Sequence, residues 1–133
     1  MQKFIDFIID LANDECEQLV DYNAQYYFRH GGCYEFAKII NHFVKKSQII
    51  INNQGDHLGI LFDGRMYDSY GEITHTDDFR LVTDLDLEQD YGMPEKLYVG
   101  SKTISAFLID YIEDIRLPKE ITRHLIQDDE LTL

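Results

Sequence analysis

The sequence predicts an α+β fold. A helical period of apolar residues runs through the amino-terminal stretch and returns after Cys33. Three β-rich runs follow, punctuated by Asn52-Asn53-Gln54-Gly55 and Asp63-Gly64. Helical patterns come back after Ser101 and close the chain. A helix opened by Cys33, packed on a small antiparallel meander and flanked by terminal helices, is the expected architecture. The 133 residues are expected to form a single domain over 1–133.

In chain order, residues 2 to about 22 read as helix. Ile5, Ile8, Ile9, Ala12, Cys16, Leu19 and Val20 make one apolar stripe, and Asn13-Asp14-Glu15 marks a break or fresh start within it. Cys16 lies on the stripe and reads as a buried packing thiol. Asp21 to Gly32 reads as a loop or short helical turn rich in aromatics (Tyr22, Tyr26, Tyr27, Phe28), ended by Gly31-Gly32. From Cys33 the buried stripe is Phe36, Ala37, Ile40, Phe43 and Val44, with Lys38, Asn41, His42 and Lys45 on the polar side.

Gln48 to Ile51 is β-branched and reads as strand; His57 to Phe62 and Arg65 to Tyr70 read as a hairpin about Asp63-Gly64. Thr76-Asp77-Asp78 reads as the cap of a short helix through Val82, and Asp84 to Gly92 as an acidic loop. Leu97-Tyr98-Val99 reads as a short strand. A helix starting at Ser101 or Thr103 runs through Ile115, and Pro118 opens a last one through Ile121, His124 and Leu125. Asp128 to Leu133 reads as a fraying tail.

Composition narrows the function classes. The chain is 44% hydrophobic and 13% aromatic, as folded proteins are. Its net charge of −13 argues against binding nucleic acid or an anionic membrane, since the phosphate term is repulsive. Two cysteines suggest neither a disulfide framework nor, alone, a zinc site. Aspartates interrupt the apolar amino terminus, so no signal peptide is expected, and no apolar run is long enough to span a bilayer. The expected compartment is the cytoplasm, and no cofactor is expected.

The residues that carry chemistry are Cys33, His57 and Asp68. A cysteine opening a helix meets partial positive charge and unpaired N–H groups, both favouring thiolate. Gly31 and Gly32 leave room for a substrate backbone, and Arg29 and His30 add positive character; Glu35 in the first helical turn works the other way. With a two-residue Asp63-Gly64 loop, residue 62 pairs with 65, 59 with 68 and 57 with 70. His57, Gly59, Leu61, Met66, Asp68 and Tyr70 then share one face. Leu58, Ile60, Phe62 and Tyr67 share the core face. Asp68 becomes a diagonal neighbour of His57, within carboxylate–imidazole reach. Nucleophile, base and orienter follow one another in the chain. Taken singly, each residue has a plainer reading: a buried helix-opening thiol, a satisfied strand histidine, a strand-end carboxylate.

Gly32-Cys33-Tyr34-Glu35-Phe36-Ala37, His57-Leu58-Gly59-Ile60 and Met66-Tyr67-Asp68-Ser69-Tyr70-Gly71 together resemble the papain-like cysteine peptidase superfamily. The likeness is to its compact bacterial and phage members of NlpC/P60 and transglutaminase-like type. It covers about a third of the chain. It implies a papain-like core, a Cys-His-Asp triad and attack on an amide or acyl group of a peptide or protein substrate. Hydrolysis, deamidation and transamidation share that start. His30, Gly32, Tyr34 and Tyr70 fall near the substrate in this scheme. Three features depart from the pattern: the oxyanion glutamine is out of register, with Gln25 upstream as the candidate; the aromatic after the nucleophile is Tyr34 in place of Trp; and the chain is short for cleft walls.

Two rival readings come from other classes. An acidic phage- or bacterium-encoded binding or inhibitory protein, engaging a basic protein partner, would carry a vestigial triad. A zinc site built from Cys33, His57 and Asp68, with His30, ranks lower because tightly spaced ligand pairs are missing.

Overall fold

The computed structural model describes residues 1–16, 19, 23–75, 78–87 and 97–125. Six helices and seven strands follow one another: α1 (Gln2–Glu15), α2 (Ala24–Arg29), α3 (Cys33–Phe43), β1 (Gln48–Asn52), β2 (Leu58–Phe62), β3 (Arg65–Asp68), β4 (Gly71–Glu72), β5 (Phe79–Leu81), α4 (Asp84–Leu87), β6 (Tyr98–Val99), β7 (Lys102–Thr103), α5 (Ile104–Ile115) and α6 (Lys119–Leu125). The fold is α+β. Its main sheet is antiparallel in the order β4-β3-β2-β1-β5, and β6 and β7 form a separate hairpin. Among the described residues no helix is long and apolar enough to cross a membrane.

α3 is the central helix and packs against α2, α5, β1, β2 and β3. Its stripe of Phe36, Ala37, Ile40 and Phe43 is fully buried, together with Val44 just beyond it. Burying a side chain of Phe or Ile size stabilises by about 1.5–3 kcal/mol, so this stripe fixes the helix on the sheet. Ile60 and Tyr67 join the same core from the strands, beside Phe4, Ile5 and Ile8 of α1 and Leu108 and Ile112 of α5. At the amino end of α3, Glu35 is buried and accepts from Ser105 N–H and Oγ at 3.3 and 3.0 Å, joining α3 to the start of α5. Its charge is met by Lys38 at 2.7 Å.

The hairpin register is the one that parity requires. Ile60 pairs with Tyr67, Leu61 with Met66 and Phe62 with Arg65. Asp63 and Gly64 both have positive φ, 53° and 75°, as a two-residue turn of this twist demands.

Four boundaries differ from expectation. α1 stops at Glu15, because Cys16 turns extended and Asn13 Oδ1 accepts from Ala24 N–H at 2.7 Å, drawing the chain toward α2. Residues 79–81 are a strand, not a helix: they pair with the free edge of β1, Phe79 opposite Asn52 and Leu81 opposite Ile50. The acidic stretch opens with a helical turn, α4, held by Asp86 accepting from Arg80 and from Thr83 N–H and Oγ1. His57 lies one residue before β2, and the return strand ends at Asp68, followed by the short β4. Val20, Tyr22, Thr76, Asp77, residues 88–92, the side chains of His124 and Leu125 and the 128–133 tail lie outside the described residues.

Gly32 is required by close approach. A Cβ there would stand 2.4 Å from Cε2 of the buried Tyr27 ring. Gly32→Ala is expected to destabilise by about 1–3 kcal/mol through overpacking. Urea denaturation of Gly32→Ala, Tyr27→Leu and the double variant checks this; the expected result is that the two losses are less than additive.

Candidate functional site

Sheet geometry explains how the thiol is held. Asn52 N–H donates to His57 O at 2.9 Å, so 52 and 57 are the hydrogen-bonded pair and 51 and 58 the non-bonded one. Leu58 N–H therefore points away from β1, toward β3. Its opposite residue there would be Ser69, but β3 has ended at Asp68. The N–H left without a strand partner donates to Cys33 Sγ at 3.4 Å. The sulfur thus takes a vacated place on the β2 ladder, one peptide unit from His57. A small cluster of Ile51 and Leu58 surrounds Cys33, which is 1% exposed.

Cys33 opens α3, as expected, with Gly32 as its cap. Burial pushes its thiol up, against the N–H groups of Leu58, Tyr34 and Cys33 and the charge of Arg29, which all favour the thiolate. The expectation of a helix terminus tipping the thiol toward its anion is therefore met in direction and overcome in sum by desolvation. Cys16 has no such donors; burial, with Glu15 adding to it, pushes its thiol up to about 11. Neither cysteine forms a disulfide.

His57 and Asp68 meet as the diagonal neighbours that parity foresees, with Nε2 to Oδ2 at 3.1 Å. Asp68 is the more heavily tied. Oδ1 accepts from Tyr70 N–H at 2.8 Å, and Arg29 Nε lies 3.4 Å from Oδ2. Burial raises its carboxyl, but the bonds from His57 and Tyr70 N–H and the charges of His57 and Arg29 outweigh that and hold it below the usual carboxylate range. An ionised carboxylate only accepts hydrogen bonds, so Nε2 carries a proton. Nδ1 is then the lone-pair nitrogen whenever the ring is neutral. It is buried and has no hydrogen-bond partner, and no other side-chain nitrogen or oxygen among the described residues is in that condition.

The other candidate site residues have the following surroundings. Gln25 Nε2 donates to Ser69 O at 3.2 Å and Ser69 Oγ donates to Gln25 O at 2.8 Å. This clasp docks α2 on the turn after Asp68 and gives one of the two N–H donors of Gln25, the oxyanion candidate, to a carbonyl. His30 is exposed, stacked on Tyr26 with centroids 4.2 Å apart and edge-on to Tyr70 at 6.4 Å. Tyr70 is exposed and Tyr34 half-buried under Lys38. Gly59 stays small because of Tyr67 O and Ile73, 2.7 and 3.3 Å from where its Cβ would be, and not because of the His57–Asp68 pair. Among the described residues no group of three His, Cys, Asp or Glu side chains is arranged to hold a metal.

Three contributors were not read as such from sequence. Arg29, which the sequence offers only as a nearby charge, ends the short helix α2 just before Gly31-Gly32 and reaches Asp68. Asn52 holds the His57 loop, its Oδ1 accepting from Asp56 and His57 N–H at 3.0 and 3.1 Å, as an Asn opening a turn does. Phe79 stands edge-on to the His57 ring at 6.1 Å and was hidden by the helical reading of its segment.

Residues 8–109 of the 133 match the family described as Phage YunG-like protein. The chain belongs to that family. No curated protein and no solved structure gives a significant match. The matched span contains Cys33, His57, Asp68, Arg29 and Gln25.

Because Asp68 titrates lower folded than unfolded, the unfolded chain binds the extra proton as pH falls. Its stabilising contribution is full above the ordinary carboxylate value of about 4 and is lost on acidification toward the folded value. Urea melts of wild type and Asp68→Asn from neutral to acid pH are expected to differ most above pH ~5 and to draw together as pH falls below the ordinary carboxylate value of about 4. A gap that stays constant through that range would contradict the lowered carboxyl.

Proposed function

We propose that this chain is a thiol-dependent amide or acyl hydrolase or transferase on a papain-like core, acting through Cys33, His57 and Asp68. One observation carries the reading: the buried, unpartnered Nδ1 of His57, whose neighbouring residue's N–H holds Cys33 Sγ. A buried polar atom left unpaired costs about 1–3 kcal/mol, and a proton-accepting task is a physical reason to keep one.

In this reading Sγ attacks the carbonyl carbon as its proton passes to Nδ1. Asp68 stabilises the imidazolium through Nε2. The imidazolium returns the proton to the leaving nitrogen as the C–N bond breaks, leaving a thioester. Water or an amine then takes the acyl group, which separates hydrolysis from transfer. The raised thiol fits a neutral pair that forms its thiolate by proton transfer when substrate arrives, rather than a standing thiolate. The substrate is a peptide or protein amide. The family description supports a phage-type protein. Two cysteines outside any disulfide support a reducing compartment, with the cytoplasm as our placement. The rival reading, an acidic protein that binds a basic partner, rests on the net charge of −13 alone.

Mass-spectrometric alkylation of the native protein with iodoacetamide tests the nucleophile. Cys33 is expected to react faster than Cys16, His57→Ala to slow Cys33 about tenfold or more, and Asp68→Ala to slow it less. An inert Cys33 in a folded protein, with His57→Ala without effect, would put the binding-protein reading first.

A further inference from the structure

A cavity of about 210 Å³ opens against the His57–Asp68 pair, and Cys33 is not among its lining residues. Arg29 reaches it from α2, beside the end of β3, and Asp78 from the segment just before β5. β2 and β1 lie between β3 and β5 in the sheet, so these two opposite charges approach from different sides with His57 between them. Among the described residues only Asp68 meets the Arg29 guanidinium, and it does so at Nε. The two terminal nitrogens, which form the fork that grips carboxylates, have no hydrogen-bond partner among the described residues. No cation among the described residues pairs with the Asp78 carboxylate. Gln54 and His75 add polar groups to the wall.

We infer that this cavity binds an amino acid as a zwitterion, its carboxylate on Arg29 and its ammonium on Asp78. A simple anion would meet Asp68, Asp78 and a net charge of −13. A simple cation would meet Arg29. A ligand bearing both charges satisfies each wall and carries no net charge into an acidic protein. The volume is that of a single amino acid. The inference rests on the proposed thiol chemistry in one respect: an occupant lying against the His57–Asp68 pair is read as the amine side of the amide, the amine that leaves the thioester step or the one that accepts the acyl group. The substrate class is then an amide whose amine side is a terminal amino acid.

The test is binding without catalysis, on full-length Cys33→Ser protein. The standard amino acids are titrated one at a time to millimolar concentrations, following the His57 and His75 ring signals and the Arg29 Nε–H signal by NMR. The amino acid giving the largest shifts is then compared with its N-acetyl and carboxamide derivatives. The expected result is saturable shifts with the zwitterion, and affinity about tenfold or more weaker for either derivative. Asp78→Asn, which leaves the His57–Asp68 pair untouched, is expected to weaken the zwitterion and to abolish the preference over the N-acetyl form. Arg29→Gln is expected to abolish the preference over the carboxamide. No saturable shift with any amino acid, or equal binding of the three forms, overturns the inference. A reactive Cys33 with an empty cavity would sink this inference alone; a filled cavity beside an inert Cys33 would sink the proposed function alone.

Discussion

The bond from His57 Nε2 to Asp68 is the constraint on which the site turns. Asp68 stays ionised because Tyr70 N–H, Arg29 and His57 outweigh its desolvation. An ionised carboxylate can only accept, so it dictates the imidazole tautomer and leaves the lone pair on Nδ1. That atom is buried without a partner. Loss of the Asp68 charge would release this choice and let the ring turn its proton inward.

Three separate pieces of chain support that bond, each for its own physical reason. The two-residue turn at Asp63-Gly64 sets parity, which brings His57 and Asp68 to one face. α2 is clasped to the turn after Asp68 by the paired Gln25 and Ser69 bonds, and it delivers Arg29. α3, buried along Phe36, Ile40 and Phe43, presents Cys33 to the Leu58 N–H that β3 abandons. The early end of β3 is thus what makes room for a sulfur at the Leu58 N–H, one residue along from the histidine.

Much of this was legible from residue order. The α3 stripe, the hairpin register, the core face of Leu58, Ile60 and Tyr67, and the reach between His57 and Asp68 follow from periods of 3.6 and 2 and from one turn type. What escaped is tertiary in origin. Phe79 to Leu81 became a strand because β1 had an open edge, which no local pattern announces. The bond from Gln25 to a carbonyl far along the chain is likewise a tertiary contact. Desolvation of Cys33 depends on how tightly Ile51 and Leu58 close over it, which helix-terminus reasoning alone does not weigh.

The most direct measurement is the tautomer of His57 itself. Nitrogen-15 NMR of the labelled imidazole reads which ring nitrogen carries the proton. With the ring neutral, the expected spectrum has Nε2 protonated and hydrogen-bonded and Nδ1 bare. On Asp68→Ala the expected spectrum moves toward a mixture of the two tautomers. A wild-type ring protonated at Nδ1 and bare at Nε2 would contradict the account, because the lone pair would then lie on the nitrogen that faces the Asp68 carboxylate.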